Sequence, residues 1–179
     1  MDTVTQHHRP SAVDVARCLV GIAYDEQEDL LSKSEDDDYK KEEVQPAIDH
    51  LKLQKLVYLA QALRLAAYDQ KLFDEKIEAW SLGPVIRSVY QEFKPNGANI
   101  IPKEQGSCVG IDNETKDFLR QIWLEFGKYS SIQLVNLTHR HSPWQVAREK
   151  GVPIDEEGMR VFYKTLLQPS TDAEPDSIR

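Results

Sequence analysis

The residues that could do chemistry are few and poorly spaced for it. Five histidines occur, at positions 7, 8, 50, 139 and 141. His139 and His141 form an HxH pair, but side chains two apart on a helix point about 200° away from one another. No Cys or carboxylate cluster follows at ligand spacing and no HExxH occurs, so the sequence presents no metal site. It has no GxxxxGK[ST] loop and no GxGxxG turn to cradle phosphates. A GxSxG elbow is absent, and nothing near Cys108 would activate it as a nucleophile. Paired acids lie mainly in one stretch, where flexibility would defeat the fixed geometry that acid–base catalysis needs. The pattern points away from an enzyme and from any cofactor.

What remains suits binding. Lys52 and Lys55 stand three apart within an otherwise apolar arc of a helix. Two readings follow: their stems lie on the core with the heads in water, or they hold an acidic group of a partner or of this chain. Trp80, Tyr90 and Trp144 are core aromatics or binding anchors. In Trp80-Ser81-Leu82-Gly83-Pro84-Val85, Gly83 permits a sharp turn and Pro84 is suited to the first position of a helix. An aromatic would then sit beside a helix N-terminus, a place that attracts acceptor groups.

The elements that must position these residues are mostly helical. Ser11 caps a helix over about 12–23. Asp49 caps a central helix over 50–68, whose wide apolar arc implies packing on several sides. Residues 72–80 read as extended, and Gly83-Pro84 as the start of a helix that ends at Pro95-Asn96-Gly97. A loop over 98–111 includes a short strand at Ile100-Ile101. Asp112 caps a helix over 113–126; Ser130 with Gln133 opens another by a capping box; Ser142-Pro143 and Asp155 open the last two. The expectation is a mainly α single domain of about six or seven helices with at most a minor strand pair. A lead over 1–10 and a tail over 168–179 read as disordered.

The net charge of −8 is uneven: residues 25–43 hold ten acids against three lysines, leaving the rest nearly neutral. That stretch reads as a mobile acidic insertion ending near Pro46. The near-neutral remainder disfavours generic nucleic-acid binding, which needs clustered Lys and Arg. No apolar run reaches the roughly 20 residues of a membrane helix and no signal peptide is visible, so a cytoplasmic protein is expected. Cys18 and Cys108 form no CxxC pair and read as ordinary thiols of a reducing compartment.

Three ordered motifs carry a resemblance. Leu51-Lys52-Leu53-Gln54-Lys55-Leu56-Val57-Tyr58-Leu59-Ala60-Gln61 resembles the signature helix of the Panacea-domain (SocA-like or GepA-like) antitoxins, which are often phage-associated. Ile77-Glu78-Ala79-Trp80 with Gly83-Pro84-Val85 and Tyr90 resembles their second motif. Ser130-Ser131, Leu134, Leu137-Thr138-His139 and Pro143-Trp144 with Ala147-Arg148 resemble the third. With the opening helix the likeness covers about 11–150. It departs at Ala62-Leu63, at the turn Asp69-Gln70-Lys71-Leu72-Phe73 and in the acidic insertion. The resemblance implies a non-catalytic antitoxin that binds a cognate protein toxin, covering its active surface or delivering it to a protease. Candidate contact residues are Lys52, Lys55, Tyr58, Trp80, Gly83, Pro84, Val85, Tyr90, Thr138, His139, Pro143 and Trp144. The alternatives are a DNA-binding autoregulator, or an enzyme relying on His139, Cys108 or Glu78.

Overall fold

The computed structural model describes residues 9–33, 48–140 and 143–168. Among them are seven α-helices and one antiparallel hairpin: α1 (Ala12–Lys33), α2 (His50–Tyr68), β1 (Ile77–Trp80), β2 (Gly83–Ile86), α3 (Arg87–Phe93), α4 (Asn113–Phe126), α5 (Ser131–His139), α6 (Pro143–Lys150) and α7 (Glu156–Leu167). The mainly α expectation holds. The caps explain why the helices start where they do. The Asp49 carboxylate accepts from Lys52 N–H, Asp112 from Thr115 N–H and Asp155 from Gly158 N–H. Ser130 and Gln133 close the expected capping box. Each of these side chains satisfies an N–H that the first helical turn leaves without an internal partner.

The central helix α2 packs against α1, α3, α4, α5, α7 and β2. Its leucines, valine and alanines form the middle of one continuous core with α1, Phe73, Ile86, Phe93 and Tyr163. The polar strip of α2 is buried as well: Gln54, Gln61 and Arg64 are all inside. Burying polar groups is costly unless they are hydrogen-bonded, and these are. Gln61 accepts from the Leu72 and Phe73 N–H groups at 2.7 and 3.2 Å and donates to Phe73 O at 2.9 Å. Gln54 accepts from Ile86 N–H at 2.9 Å. The Arg64 guanidinium reaches Glu114 at 2.7 Å.

Three expectations are corrected. First, α1 continues well past Ala23, through Lys33, so the acidic stretch begins as helix. Three of its four acids there are paired: Glu26 with Arg120, Glu28 with Lys103 and Asp29 with Lys33. The rest of the insertion, 34–47, lies outside the described residues, as do residues 1–8 of the lead and 169–179 of the tail.

Second, Gly83-Pro84 opens a strand rather than a helix. Pro84 pairs opposite Ala79 in the hairpin, and α3 begins only at Arg87. A two-residue turn, Ser81-Leu82, joins the strands, and Gly83 takes φ +100°, a region that glycine enters without steric cost. The strand expected at Ile100-Ile101 is reduced to a bridge between Ile100 and Asp49, with Ile101 N–H donating to Ile48 O at 3.0 Å.

Third, Cys18 and Cys108 are not free thiols but are disulfide-bonded, at 2.00 Å. The bond ties α1 to the loop before α4. Around it the loop backbone presses on the helix: Ser107 N–H donates to Arg17 O at 3.0 Å. A Cβ on Gly106 would stand 2.7 Å from Gly21 N, so only glycine allows this approach.

The closed loop spans 90 residues, and a cross-link of that length removes about 4–5 kcal/mol of unfolded-chain entropy in the simple loop model. The double variant Cys18→Ala/Cys108→Ala should therefore lose up to about that much stability in denaturant unfolding under oxidising conditions. Wild type in excess reductant should match it.

Candidate functional site

The three motifs converge on one region, built by α2, the hairpin, α3, α5 and α6. At its base is Lys55. This side chain is 0% exposed, and its ammonium donates to Pro84 O at 2.9 Å. Among the described residues no carboxylate pairs with it. Burial pushes its pKa down to about 7, because a charged amine loses its hydration without a compensating opposite charge. Gly83 is fitted to this lysine. A Cβ there would stand 2.8 Å from Lys55 Cε and 3.2 Å from Thr138 Oγ1. Lys55 thus fixes the start of β2, and the adjoining Gln54 fixes its end through Ile86.

Lys52, one turn earlier, reaches the other way. Its ammonium donates to Gly127 O at 2.6 Å and lies 5.2 Å from the Trp123 ring centroid. Gly127 closes the C-terminus of α4, where a cation is favoured by the helix dipole and by the unpaired carbonyls. Desolvation lowers the pKa of Lys52, with Asp49 opposing. The reading that places the two lysine heads in water is not met: Lys52 and Lys55 are buried, and within the chain each donates to a backbone carbonyl.

Above Lys55 lies a row of half-buried rings. His50 and Tyr90 are 5.0 Å apart between centroids, and Trp80 and Tyr90 are 4.9 Å apart. Trp144 donates from Nε1 to Trp80 O at 2.9 Å and stacks flat on His139 at 3.7 Å. The Trp80 indole N–H donates to Glu78 at 2.6 Å. Glu78 also receives Arg87 through two bonds of 2.9 Å; the Arg87 and Trp80 bonds hold its carboxyl below the usual range. Burial and the Lys55 charge push the His139 imidazole down, and burial first, then Lys55, does the same to His50 against the opposing charge of Asp49. The Nε2 atoms of both imidazoles are buried without a hydrogen-bond partner.

The twelve candidate residues therefore divide. Lys52, Lys55, Tyr58, Gly83, Pro84, Val85, Thr138 and Pro143 are buried. Tyr58 is turned to the core, 6.0 Å from the Tyr163 ring. Trp80, Tyr90, His139 and Trp144 are half-buried and linked into one cluster by ring contacts and the Trp144–Trp80 hydrogen bond. Sequence reasoning missed His50, Gln54, Glu78 as a clamp for Trp80, and Arg87. A signal was present for Gln54, which lies next to Lys55 in a helix too apolar to leave its polar strip in water. Nothing in the sequence indicated that Arg87 would pair with Glu78, because that contact depends on the hairpin register. Cys108, considered as a nucleophile, is held in the disulfide.

A family model described as "Antitoxin SocA-like, Panacea domain" matches residues 53–145, just over half of the chain. That span runs from α2 to the start of α6 and contains Lys55, the hairpin, Tyr90, His139 and Trp144. Antitoxin SocA of Caulobacter vibrioides (strain NA1000 / CB15N) is 32% identical over 111 residues, which cover 55% of this chain and 59% of that protein. The chain thus aligns with less than two thirds of that relative. No solved structure matches. Among the described residues no helix is long and apolar enough to cross a membrane.

The buried amine gives a pH test. Its folded pKa of about 7 lies below the 10.5 of a free lysine. Between those values the unfolded chain holds the proton and the folded chain does not, so stability rises with pH through that window. From pH 7 to pH 9 wild type should gain roughly 2 kcal/mol relative to Lys55→Met in urea unfolding. Parallel profiles would show that Lys55 is solvated.

Proposed function

We propose, because this chain belongs to the SocA-like Panacea-domain family, that it is the antitoxin of a toxin–antitoxin pair and neutralises a cognate protein toxin by direct binding. The observation that carries the reading is the convergence of the family motifs on one aromatic face, Trp80, Tyr90, His139 and Trp144, held rigid from beneath by Lys55 and Gln54. Half-buried aromatics on a fixed scaffold suit a binding hot spot. They offer large contact area and their ordering is already done before association. The buried members of the signature act by positioning: Lys55, Gly83, Pro84 and Thr138 set the hairpin and α5 that present the rings.

The reading is of a non-catalytic protein. Cys108 is bonded, and Glu78 is held by Arg87 and Trp80. Binding is the step shared by both routes to inhibition, occlusion of the toxin's active surface and delivery of the toxin to a protease.

Co-expression with the product of the adjacent gene tests this. Wild type should restore growth. Tyr90→Ala and His139→Ala should weaken toxin binding by roughly 2 kcal/mol or more each while melting close to wild type. Leu56→Ala, in the core, should instead cost about 2–5 kcal/mol of stability. Failure of wild type to rescue would remove the antitoxin reading. Full rescue by both surface variants would move the toxin contact off this face.

A further inference from the structure

On another side of α2 the structure leaves an apolar groove that the signature motifs do not explain. It has two connected chambers with cavity volumes of about 550 and 410 Å³, which share Leu63, Phe126 and Leu167. The first lies between α2 and α4, with Ala67, Phe118 and Ile122 on its floor. The second continues between α2, α5 and α7, past Leu137, Phe162 and Leu166. Its edges stay in solvent: Tyr68 is 53% exposed, Leu137 43%, Leu166 63% and Leu167 51%. Scattered exposed apolar residues are ordinary, but here they line one continuous trough, which is the mark of a docking surface.

The charge around the trough says what fits it. Along α4, Glu114, Asp117, Gln121 and Glu125 line the first chamber. Their spacing of three to four residues puts them in one stripe beside the apolar row Phe118, Ile122 and Phe126. The cation in that chamber is Arg64, which is already bound to Glu114 at 2.7 Å; the second chamber has Arg140 at its lining, so the acidic flank is that of α4. The wall from Glu114 to Phe126 is about 18 Å long at helical rise, which accommodates three turns of a second helix. Two of the chain's own undescribed segments, 34–47 and 169–179, have the wrong sign, and 1–8 contains no Lys or Arg to meet the acids. Residues 34–47 are strongly acidic, and 169–179 contain Asp172, Glu174 and Asp176 against Arg179 alone.

We infer that this groove seats an amphipathic helix of the toxin, with an apolar stripe on the floor and Lys or Arg along the flank facing α4. The identity of the partner as the toxin rests on the antitoxin reading; the shape and sign of the groove do not. Helix-in-groove recognition reads such a partner through apolar anchors at i, i+3, i+4 and i+7. The acidic stripe selects its orientation and speeds its encounter. The protein would then grip its partner at two places, the aromatic face and this trough, and losing either would weaken the complex.

The test uses the full chain and a fluorescein-labelled fifteen-residue peptide with Leu at i, i+3, i+4 and i+7 and Lys on the flanks. A second peptide carries Glu in place of Lys. Anisotropy should show saturable binding of the Lys peptide and binding at least about tenfold weaker for the Glu peptide. Asp117→Lys/Glu125→Lys should reverse that preference. Ala67→Trp, at an exposed floor position, should fill the trough and abolish binding while leaving the melting temperature unchanged. Equal binding of both peptides, or binding indifferent to Ala67→Trp, would overturn the inference. So would a wild-type dimer that Ala67→Trp dissociates, since the occupant would then be a second copy. Growth rescue separates this from the antitoxin reading. If wild type rescues and Ala67→Trp rescues equally, the groove is not the toxin's seat. If wild type does not rescue, the antitoxin reading fails whatever the peptides do.

Discussion

The fold depends on α2 using its polar side chains as backbone partners for the segment that follows it. Lys55 takes the Pro84 carbonyl, Gln54 takes the Ile86 amide, and Gln61 takes the amides of Leu72 and Phe73. A two-stranded hairpin in water is marginal alone. Among the described residues it has no further strand to lean on. What it has instead is a helix that supplies, from inside the core, acceptors and donors that a third strand would otherwise provide. The arrangement explains why so apolar a helix holds Gln54, Lys55 and Gln61 at buried positions.

A hairpin fixed in this way carries consequences outward. Trp80 ends β1 and receives Trp144 at its carbonyl. Arg148 donates to Ala79 O at 3.2 Å, so α6 is tied to β1 at two successive carbonyls. His139 lies flat on Trp144, and Tyr90 closes on Trp80 from α3. Four rings from the second and third motifs thus lie together because one buried helix, the first motif, aligns their backbones. Lys52 performs a parallel task at the other end, joining the start of α2 to the end of α4 through Gly127. The family signature reads, in these terms, as a set of positioning residues with a thin layer of presented ones.

How much of this the sequence disclosed varies by element. The central helix, its Asp49 cap, and the caps at Asp112, Ser130 and Asp155 were legible, since side-chain capping is local and leaves a local pattern. The continuation of α1 through Lys33 was not. There the apolar period fades, and the stretch is held by ion pairs whose partners, Arg120 and Lys103, are distant in sequence. Gly83-Pro84 misled because the dipeptide suits a helix start as well as an outer strand position; the choice is made by Gln54 and Lys55, which periodicity could not place there. The cysteine pair was missed because only the docking of the loop on α1, through Gly21 and Gly106, brings two residues 90 positions apart together. At the site, motif membership pointed to segments that the structure brings together. It did not separate the eight buried residues from the four that reach the surface, because a lysine that binds a carbonyl in the core and one that binds an acid at an interface look alike in sequence.

The most direct measurement of this account is amide hydrogen exchange at Leu72, Phe73 and Ile86 in the native protein. If α2 holds the segment that follows it, from Leu72 through the hairpin, as described, these three amides exchange as slowly as core amides of α2, Gln54→Ala releases Ile86, and Gln61→Ala releases Leu72 and Phe73. Exchange in wild type as fast as in an open loop would contradict it.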